Sequence, residues 1–384
     1  MDQRINPVFA AQGISVFALM SGLAIEHRAL NLGQGFPDED GPLAVREAAA
    51  NALLKGPNQY PQMMGRPELR RAIAAHAARF YGLTFDPDTE VMVTCGGTEA
   101  LASAIMALVG DGEIVLIEPA FDTYRPIAEA MGAKIKTVTL LPPDWRLTEN
   151  ALRAAVTDRT RLIIVNSPLN PIGRVFSRDE LETLARVVRE SDALVLCDEV
   201  YEHMTFDGRE HIPLMTLPGM RERTVRVGSA GKIFSLTGWK IGWITGPAAL
   251  VSVIAKAHQN ITFTVAPALQ LGVAHGLENA MDFTLQLTKD LQVKRDFLAA
   301  GLTRLGFRVL PSEGTYFLSA DISGLTNDSD IEFCKKLVRE AGVALIPLSF
   351  FFAGGKPDTL VRFAFCKKRE VLEESLARLA KYFS

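Results

Sequence analysis

The run VMVTCGGTEALASAIMALVGDGEIVLIEP, residues 91–119, indicates the fold class of this chain. Two apolar segments, VMVT (91–94) and EIVLIEP (113–119), flank a helical pattern at Glu99–Val109. Strands that are almost continuously apolar and alternate with amphipathic helices are typical of a parallel sheet covered on both faces. The alternation continues through further β-rich runs, which are AKIKTVTL (133–140), RLIIVN (161–166), ALVLCDE (193–199) and TVRVGS (224–229). The sequence therefore predicts an α/β fold with a mostly parallel central sheet.

The pattern changes beyond about residue 280. A long helical pattern over Phe283–Leu302 precedes short strand candidates at FRVL, TYFLSADI and LVRFAFC, and a terminal helix follows. This order is typical of an α+β unit. We therefore expect a large domain over residues 30–280 and a smaller α+β domain formed by residues 1–29 and 281–384.

Composition limits the classes of partner. The 384 residues include 41 basic and 44 acidic side chains, so no nucleic-acid footprint is indicated. The four cysteines form no CxxC pair, which argues against a zinc site or a disulfide framework, and we expect no metal. We see neither a secretory leader nor an uncharged apolar stretch long enough to span a bilayer. These features predict a soluble cytoplasmic protein that acts on a small molecule.

Unusual residues follow the carboxyl ends of five predicted strands. Ligands of open parallel sheets bind in the crevice beyond those ends. The residues that the strand ends deliver to this edge are Gly97, Thr98, Phe121, Asn170, Asp198, Tyr201, Ser229 and Lys232. Because they come from distant parts of the sequence, we expect them to form one site.

Two features of this edge suggest an anion and an aldehyde as ligands. In CGGTEA the backbone N–H groups near Gly97 and Thr98 begin a helix, where an anion is favoured, and Ser229 and Lys240 could complete such a site. Lys232 lies among small and apolar residues, which disfavour its charged form and lower its pKa. A neutral amine is a nucleophile toward an aldehyde. Lys232 is thus a candidate Schiff-base lysine.

The remaining residues suit a heteroaromatic ring. Asp198 ends an otherwise apolar strand, and a carboxylate there could keep a ring nitrogen protonated, as it does when pyridoxal phosphate acts as an electron sink. Tyr201 and Asn170 could donate hydrogen bonds to the phenolate oxygen of such a ring. Phe121 could stack on its face.

The chain resembles the class I/II aminotransferases, the aspartate-aminotransferase-like enzymes of fold type I that use pyridoxal 5′-phosphate. The motifs CGGTEAL, EPAFDTY, NSPLNPIG, CDEVYEHMTFDG, SAGKIFSLTGWKIGW and RFAFCK occur in the order and spacing of that family. The resemblance implies that Lys232 forms the cofactor aldimine and shuttles the proton, with Asp198 on the pyridine nitrogen. It further implies a ring oxygen held by Tyr201 and Asn170, a ring stacked on Phe121, and a phosphate held by Gly97, Thr98, Ser229 and Lys240.

The family pattern also implies substrate contacts and a partner subunit. Arg362 in LVRFAFC resembles the arginine that binds the substrate α-carboxylate, and Gly35 the glycine whose backbone lines the same pocket. Tyr60 resembles the tyrosine that reaches the phosphate of the neighbouring subunit, which implies a homodimer with shared active sites. The expected reaction moves an amino group between an L-amino acid and a 2-oxo acid by a ping-pong mechanism.

Three motifs, VFALMSGLA, NLGQGFPD and NQYP, are most similar to the branch of kynurenine, glutamine and methionine aminotransferases and cysteine-conjugate β-lyases. An apolar, aromatic, methionine or glutamine-like donor is therefore expected. The chain departs from that branch at Leu169, where His is frequent, and at Glu39, where a bulky residue is frequent. Both departures are expected to bear on the choice of amino donor.

The same residues bear on three alternative functions. A cysteine-S-conjugate β-lyase would need the same lysine, aspartate and arginine, so the sequence leaves it open. Ser229 to Lys232 fits the S-x-x-K pattern of serine acylases, but the SDN and KTG triplets of those enzymes are missing. A cofactor-binding transcriptional regulator would need a DNA-binding module, and the sequence shows no basic patch that would indicate one.

Overall fold

The computed structural model describes residues 5–384, and its strands and helices alternate through the first two thirds of the chain. The strands are β1 Leu30–Asn31, β2 Val91–Cys95, β3 Glu113–Glu118, β4 Lys134–Thr139, β5 Thr160–Asn166, β6 Leu194–Asp198, β7 Thr224–Ser229, β8 Ile241–Thr245, β9 Arg308–Val309, β10 Phe317–Asp321, β11 Val343–Ala344, β12 Ile346–Pro347 and β13 Leu360–Ala364. The helices are α1 Pro7–Ala11, α2 Val16–Glu26, α3 Leu43–Lys55, α4 Pro67–Tyr81, α5 Gly96–Leu108, α6 Tyr124–Ala130, α7 Glu149–Ala155, α8 Arg178–Arg189, α9 Ala230–Ile233, α10 Ala248–Ile261, α11 Pro267–Asn279, α12 Met281–Arg304, α13 Asp330–Glu340 and α14 Arg369–Phe383.

The central sheet has seven strands in the order β2-β8-β7-β6-β5-β3-β4. Strands β3 to β7 pair in parallel, whereas β8 runs antiparallel to β2 and β7. The predicted α/β class with a mostly parallel sheet is therefore confirmed. Strand β8 was not predicted, because its residues belong to the TGWKIGW run that we interpreted through its lysine and tryptophans.

Apolar side chains pack on both faces of this sheet, as the continuous apolar character of its strands requires. Helices α5 and α8 contribute Leu101, Ile105 and Leu184 to the larger core. Helices α4 and α11 contribute Ile73 and Val273 to a second core. The helices therefore hold the sheet rigid and leave the carboxyl ends of its parallel strands for a site.

The C-terminal part forms a smaller antiparallel sheet in the order β12-β13-β10-β9, with α12, α13 and α14 alongside. Strand β1 pairs in parallel with β11, with Leu30 opposite Val343, so the N-terminal segment joins the C-terminal part. Arg362 lies in β13 and is paired in register with Ser319 of β10.

One stretch of the described chain, Pro7–Glu26, has the length and apolarity of a membrane span, with a mean hydropathy of 1.9. The expectation that the sequence holds no apolar stretch of this length is therefore wrong. In the structure this segment forms two helices, α1 and α2, and α2 buries Val16, Met20 and Ala24 in the larger core. A break between two short helices, one of them packed on the protein, is not the continuous apolar helix that a bilayer requires.

Candidate active site

A single cavity lies at the carboxyl ends of the central strands. The predicted residues that line it are Gly97, Thr98, Phe121, Asn170, Asp198, Tyr201, Ser229, Lys232 and Lys240. Other lining residues are Gly96, Leu101, Val200, Gly231, Thr237 and Ile241. The structure thus brings together the residues that the sequence placed at five strand ends and in the TGWK turn, because those strands are neighbours in one sheet.

The first turn of α5 borders one end of the cavity. Gly96 has φ +73°, and no side chain caps the N-terminus of this 13-residue helix. A Cβ atom on Gly96 would lie 3.2 Å from Lys240 Nζ, so the glycine leaves room for that ammonium group. Unpaired N–H groups at a helix N-terminus beside a lysine and the Ser229 hydroxyl form a set of donors suited to a phosphate.

Lys232 follows β7 on the short helix α9. Its Nζ donates a hydrogen bond of 2.6 Å to the hydroxyl of Tyr316, and lies 5.3 Å from the centre of the Tyr201 ring. Burial lowers the pKa of Lys232 to about 8. At pH 7 roughly a tenth of this amine is therefore unprotonated, far more than for an ordinary lysine, and the unprotonated form is the nucleophile.

Asp198 ends β6 and is almost fully buried. Burial raises its pKa to about 6, although Tyr124 donates a 2.5 Å hydrogen bond from its hydroxyl to Asp198 Oδ2. A carboxylate in this position is stabilised by a cation placed against it, such as a protonated heteroaromatic nitrogen. The other carboxylate oxygen accepts only a 3.4 Å hydrogen bond, from the backbone N–H of Val200.

Arg362 reaches the site from the smaller sheet. It is 1% exposed, and its guanidinium donates to Asn170 Oδ1 at 3.0 Å and to the carbonyl of Gly33 at 2.8 Å. The guanidinium lies 3.9 Å from the centre of the Phe317 ring, and burial lowers the pKa of Arg362 to about 10. Among residues 5–384 its Nε has no hydrogen-bond partner, so a donor remains for a carboxylate.

Gly35 is joined to Lys232 through Tyr316. The Tyr316 hydroxyl donates a 2.6 Å hydrogen bond to the carbonyl of Gly35 while it accepts the one from Lys232. A Cβ atom on Gly35 would lie 2.5 Å from the Phe317 ring, so the backbone approaches these aromatic side chains only as glycine. The loop that carries Gly35 is therefore fixed to the lysine.

The structure does not bring Tyr60 into this cavity. Tyr60 is 81% exposed, and its ring packs edge-on against Phe263 at 5.5 Å between centres. The two departures from the expected branch also lie apart from the cavity lining. Leu169 is buried in the larger core, and Glu39 forms a 3.2 Å ion pair with Lys294.

Three residues of the site were missed in the sequence. Tyr124 donates to Asp198, Tyr316 contacts Lys232, and Asn166 accepts the N–H of Asn170 at 2.8 Å and donates to the Asp198 carbonyl at 2.8 Å. The available signal was weak. All three lie inside motifs quoted above, EPAFDTY, NSPLNPIG and TYFLSADI, but the partners of Tyr124 and Tyr316 lie 74 and 84 positions away in the sequence.

Comparison with known proteins identifies the family. The model of the family "Aminotransferase class I and II" matches residues 28–379. The chain belongs to the class I and II aminotransferases. Members of this family use pyridoxal 5′-phosphate, so the chain is an enzyme that transfers an amino group between an amino acid and a 2-oxo acid with that cofactor.

Three relatives of this aminotransferase cover nearly its whole length. A probable N-succinyldiaminopimelate aminotransferase of Mycobacterium tuberculosis is 46% identical over 378 residues, which are 95% of each chain. Methionine aminotransferase of Escherichia coli is 40% identical and covers 96% of this chain and 95% of its own. Kynurenine–oxoglutarate transaminase of Dictyostelium discoideum is 39% identical and covers 96% of this chain and 94% of its own. The expected likeness to methionine and kynurenine enzymes is confirmed, and the succinyldiaminopimelate relative was not anticipated.

Solved structures of two of these relatives superpose closely. The Mycobacterium tuberculosis N-succinyldiaminopimelate aminotransferase has a TM-score of 0.95 and covers 98% of this chain and 99% of its own. The Escherichia coli methionine aminotransferase also has a TM-score of 0.95, at 39% identity, with the same coverage. The fold of this aminotransferase is therefore fold type I.

The residues around the cavity fit the cofactor of the family. A phosphate would meet the N–H groups of α5 with Lys240, a ring nitrogen would meet the buried Asp198 carboxylate, and an aldehyde would meet the amine of Lys232. Each polar group of pyridoxal phosphate thus finds a side chain or backbone group of complementary charge.

Proposed function

We propose that this aminotransferase takes an L-amino acid with an uncharged, largely apolar side chain as its donor. The observation that carries the proposal is the contact between Arg362 and Asn170 inside a ring of aromatic side chains. The guanidinium lies 3.9, 5.3 and 5.5 Å from the ring centres of Phe317, Phe17 and Phe351. A cation among apolar rings suits the α-carboxylate of a substrate whose side chain is uncharged, such as methionine, kynurenine, an aromatic amino acid or glutamine.

The proposed roles follow from the positions of the side chains. Bound pyridoxal phosphate supplies an aldehyde that takes up the amino group and a ring that accepts the electrons of the broken Cα–H bond. Arg362 and Asn170 hold the α-carboxylate of the substrate. Lys232 Nζ removes the α-proton and returns it on the cofactor side, and Asp198 keeps the ring nitrogen protonated.

The remaining contacts hold the cofactor. Tyr201 and Asn170 would contact the ring oxygen, Phe121 would stack on the ring, and Gly97, Thr98, Ser229 and Lys240 would hold the phosphate. Gly35 lines the substrate side with its backbone. Support comes from the single cavity that these residues surround, apart from Gly35, which reaches it through Tyr316.

We propose that the enzyme is a homodimer in which Tyr60 of each subunit reaches the phosphate of the other. Tyr60 and Phe263 are exposed and packed against each other, and a nearby apolar groove includes Leu53, Trp239 and Leu269. Exposed apolar surface of this kind is typical of an interface.

We further propose a soluble cytoplasmic enzyme with a large domain over residues 30–280 and a small domain over 1–29 and 281–384. Residues 1–4 lie outside the described part of the chain.

A second candidate donor is N-succinyldiaminopimelate, favoured by the 46% identity to the Mycobacterium tuberculosis relative. That compound carries carboxylates besides the one at the reacting carbon, so it needs a further cation in the pocket or from the partner subunit. The β-lyase alternative has no specific support, since the relatives described above are named as transaminases.

The proposal is tested by turnover of the purified holoenzyme with a panel of donors and 2-oxoglutarate. Methionine, kynurenine, glutamine and phenylalanine are compared with aspartate, N-succinyldiaminopimelate and a cysteine conjugate. The expected result is the highest kcat/KM for an uncharged donor, with parallel initial-rate lines. A preference for N-succinyldiaminopimelate or aspartate would overturn the proposed donor class, and acceptor-independent release of pyruvate and ammonia would favour the lyase.

A further inference from the structure

A second cluster of titratable side chains lies outside the catalytic cavity. His76 on α4 and His203 beyond β6 bring their Nε2 atoms to 2.7 Å, and a carboxylate oxygen of Glu202 lies within 4.8 Å of both. His76 and Glu202 are buried, and His203 is partly exposed. Two imidazoles and a carboxylate that converge on one point form a donor set suited to a divalent transition-metal ion.

The charges around this point favour a cation. The buried carboxylates of Glu199 and Glu202 both contact one guanidinium, Arg226, at 2.5 and 3.2 Å. His211 Nε2 also contacts the carboxylate of Glu199, at 3.1 Å. Arg226 is thus shared between two buried carboxylates, and Glu202, the more weakly paired of them at 3.2 Å, is the one that lies beside the two histidines.

Neutral imidazole and ionised carboxylate are the protonation states that metal binding requires. In the structure a single proton can be shared between the two Nε2 atoms, whereas a tetrahedral zinc ion needs them roughly 3.3 Å apart. The partly exposed ring of His203 is the one that can move outward by the remaining distance.

We propose that His76, His203 and Glu202 form a binding site for a divalent first-row transition-metal ion such as Zn²⁺. A water molecule would occupy the fourth position on the exposed side of His203. The ion would link α4 to the segment Asp198–His203, which carries Asp198 and Tyr201 of the catalytic cavity. Its expected role is to stabilise that segment, and the proposal does not depend on which amino donor the enzyme takes.

The site is tested with untagged holoenzyme that has been treated with a chelator and then titrated with Zn²⁺ by calorimetry. We expect one ion per chain for the wild type and at least a ten-fold loss of affinity for His76→Gln and for His203→Gln, the size typical of losing a ligand or its support. His27→Gln is the matched control, because His27 is exposed on the surface, and its affinity should be unchanged.

A second measurement guards against variants that fold poorly. Wild-type holoenzyme loaded with Co²⁺ should show the visible absorption of a tetrahedral nitrogen and oxygen site, and Zn²⁺ should displace it. An absence of stoichiometric binding by the wild type would overturn the proposal and leave a hydrogen-bonded histidine pair. Equal Zn²⁺ affinity in the wild type and both histidine variants would also overturn it.

Discussion

Lys232 Nζ and the Tyr316 hydroxyl lie 2.6 Å apart, and the same hydroxyl donates to the carbonyl of Gly35 at 2.6 Å. Tyr316 is fully buried, and its ring stands edge-on to Tyr201 at 5.2 Å between centres. The hydroxyl therefore orients the amine of Lys232 and couples it to the loop that carries Gly35. Tyr316 is a positioning residue for the proton transfer that Lys232 is proposed to perform.

Replacement of Tyr316 by Phe keeps the ring and removes the hydroxyl. Since hydrogen bonds to a charged group contribute about 1.5–3 kcal/mol, we expect kcat to fall by about 10- to 100-fold with a smaller change in KM. The pH dependence of the visible absorption of the bound cofactor should shift as well, because the hydroxyl contacts the amine. An unchanged pH profile together with normal kcat would contradict the assigned role.

How much of this site the sequence predicts depends on how far apart the contacting residues lie. Lys232 and Asp198 each stand out locally, because a charged residue in an apolar segment needs an explanation that nearby residues do not supply. Tyr316 and Tyr124 are ordinary aromatic residues in their own segments. Their roles come from partners 84 and 74 positions away, which only the assembled sheet brings within 3 Å.

The fold shows the same division. The parallel strands are predicted because they are buried on both faces and therefore apolar throughout. The two-residue strands β1 and β11 carry no periodicity of their own, and their pairing depends on the packing of the N-terminal segment. Strand β8 was not predicted because apolar and polar residues do not alternate in its glycine- and tryptophan-rich motif as they do in a half-exposed strand.

The lowered pKa of Lys232 can be measured in the cofactor-free enzyme. Labelling with an amine-selective reagent, followed by mass spectrometry of the peptide that carries Lys232, should show reactivity that rises through about pH 8. Burial of the amine is the main cause. Asp198 favours the charged form, so Asp198→Asn should move the midpoint to lower pH. A midpoint near the ordinary lysine value of 10.5 would show that the amine is solvated.

The role of Arg362 is tested by a pair of substitutions. Arg362→Lys keeps a charge but loses the planar pair of donors, and we expect kcat/KM for the amino donor to fall by about 10- to 100-fold. Arg362→Ala should cost more, since it leaves Asn170 without its partner as well. An amine without an α-carboxylate is the control substrate, because its slow turnover should be the same in the wild type and the lysine variant. A loss that is equal for both substrates would point to a structural role.

Tyr60 tests the shared active site. If the exposed Tyr60 hydroxyl contacts the phosphate bound by the partner subunit, Tyr60→Phe should weaken cofactor affinity by about 10- to 100-fold, the loss of one hydrogen bond to a charged group. Tyr382→Phe on α14 is the matched control and should bind the cofactor as the wild type does. Sedimentation should give a dimer for all three proteins. A monomeric wild type that retains full cofactor affinity would contradict the shared site.

The ionised carboxylate of Asp198 should lower the free energy of unfolding of the cofactor-free enzyme, although the reaction needs it. Burial raises its pKa from 3.8 to about 6, so its ionised form is disfavoured in the folded state. The stabilising contribution of a raised pKa is fully present below about pH 4 and is lost as the pH rises through about 6. Above that pH, the difference corresponds to roughly 3 kcal/mol of the free energy of unfolding.

Asp198→Asn removes this penalty, so the cofactor-free variant should be more stable than the cofactor-free wild type at pH 8, by up to about 3 kcal/mol, and by about half as much at pH 5. Urea unfolding of both proteins at the two pH values measures the difference. Turnover of the loaded variant should fall by about 10²–10³-fold, since the carboxylate that stabilises the protonated ring is lost. Stability should rise while turnover falls, because a buried carboxylate destabilises the folded protein when it is alone and stabilises the protonated ring when the cofactor is bound. A variant that is less stable at both pH values would mean that the hydrogen bond from Tyr124 outweighs the cost of burying the charge.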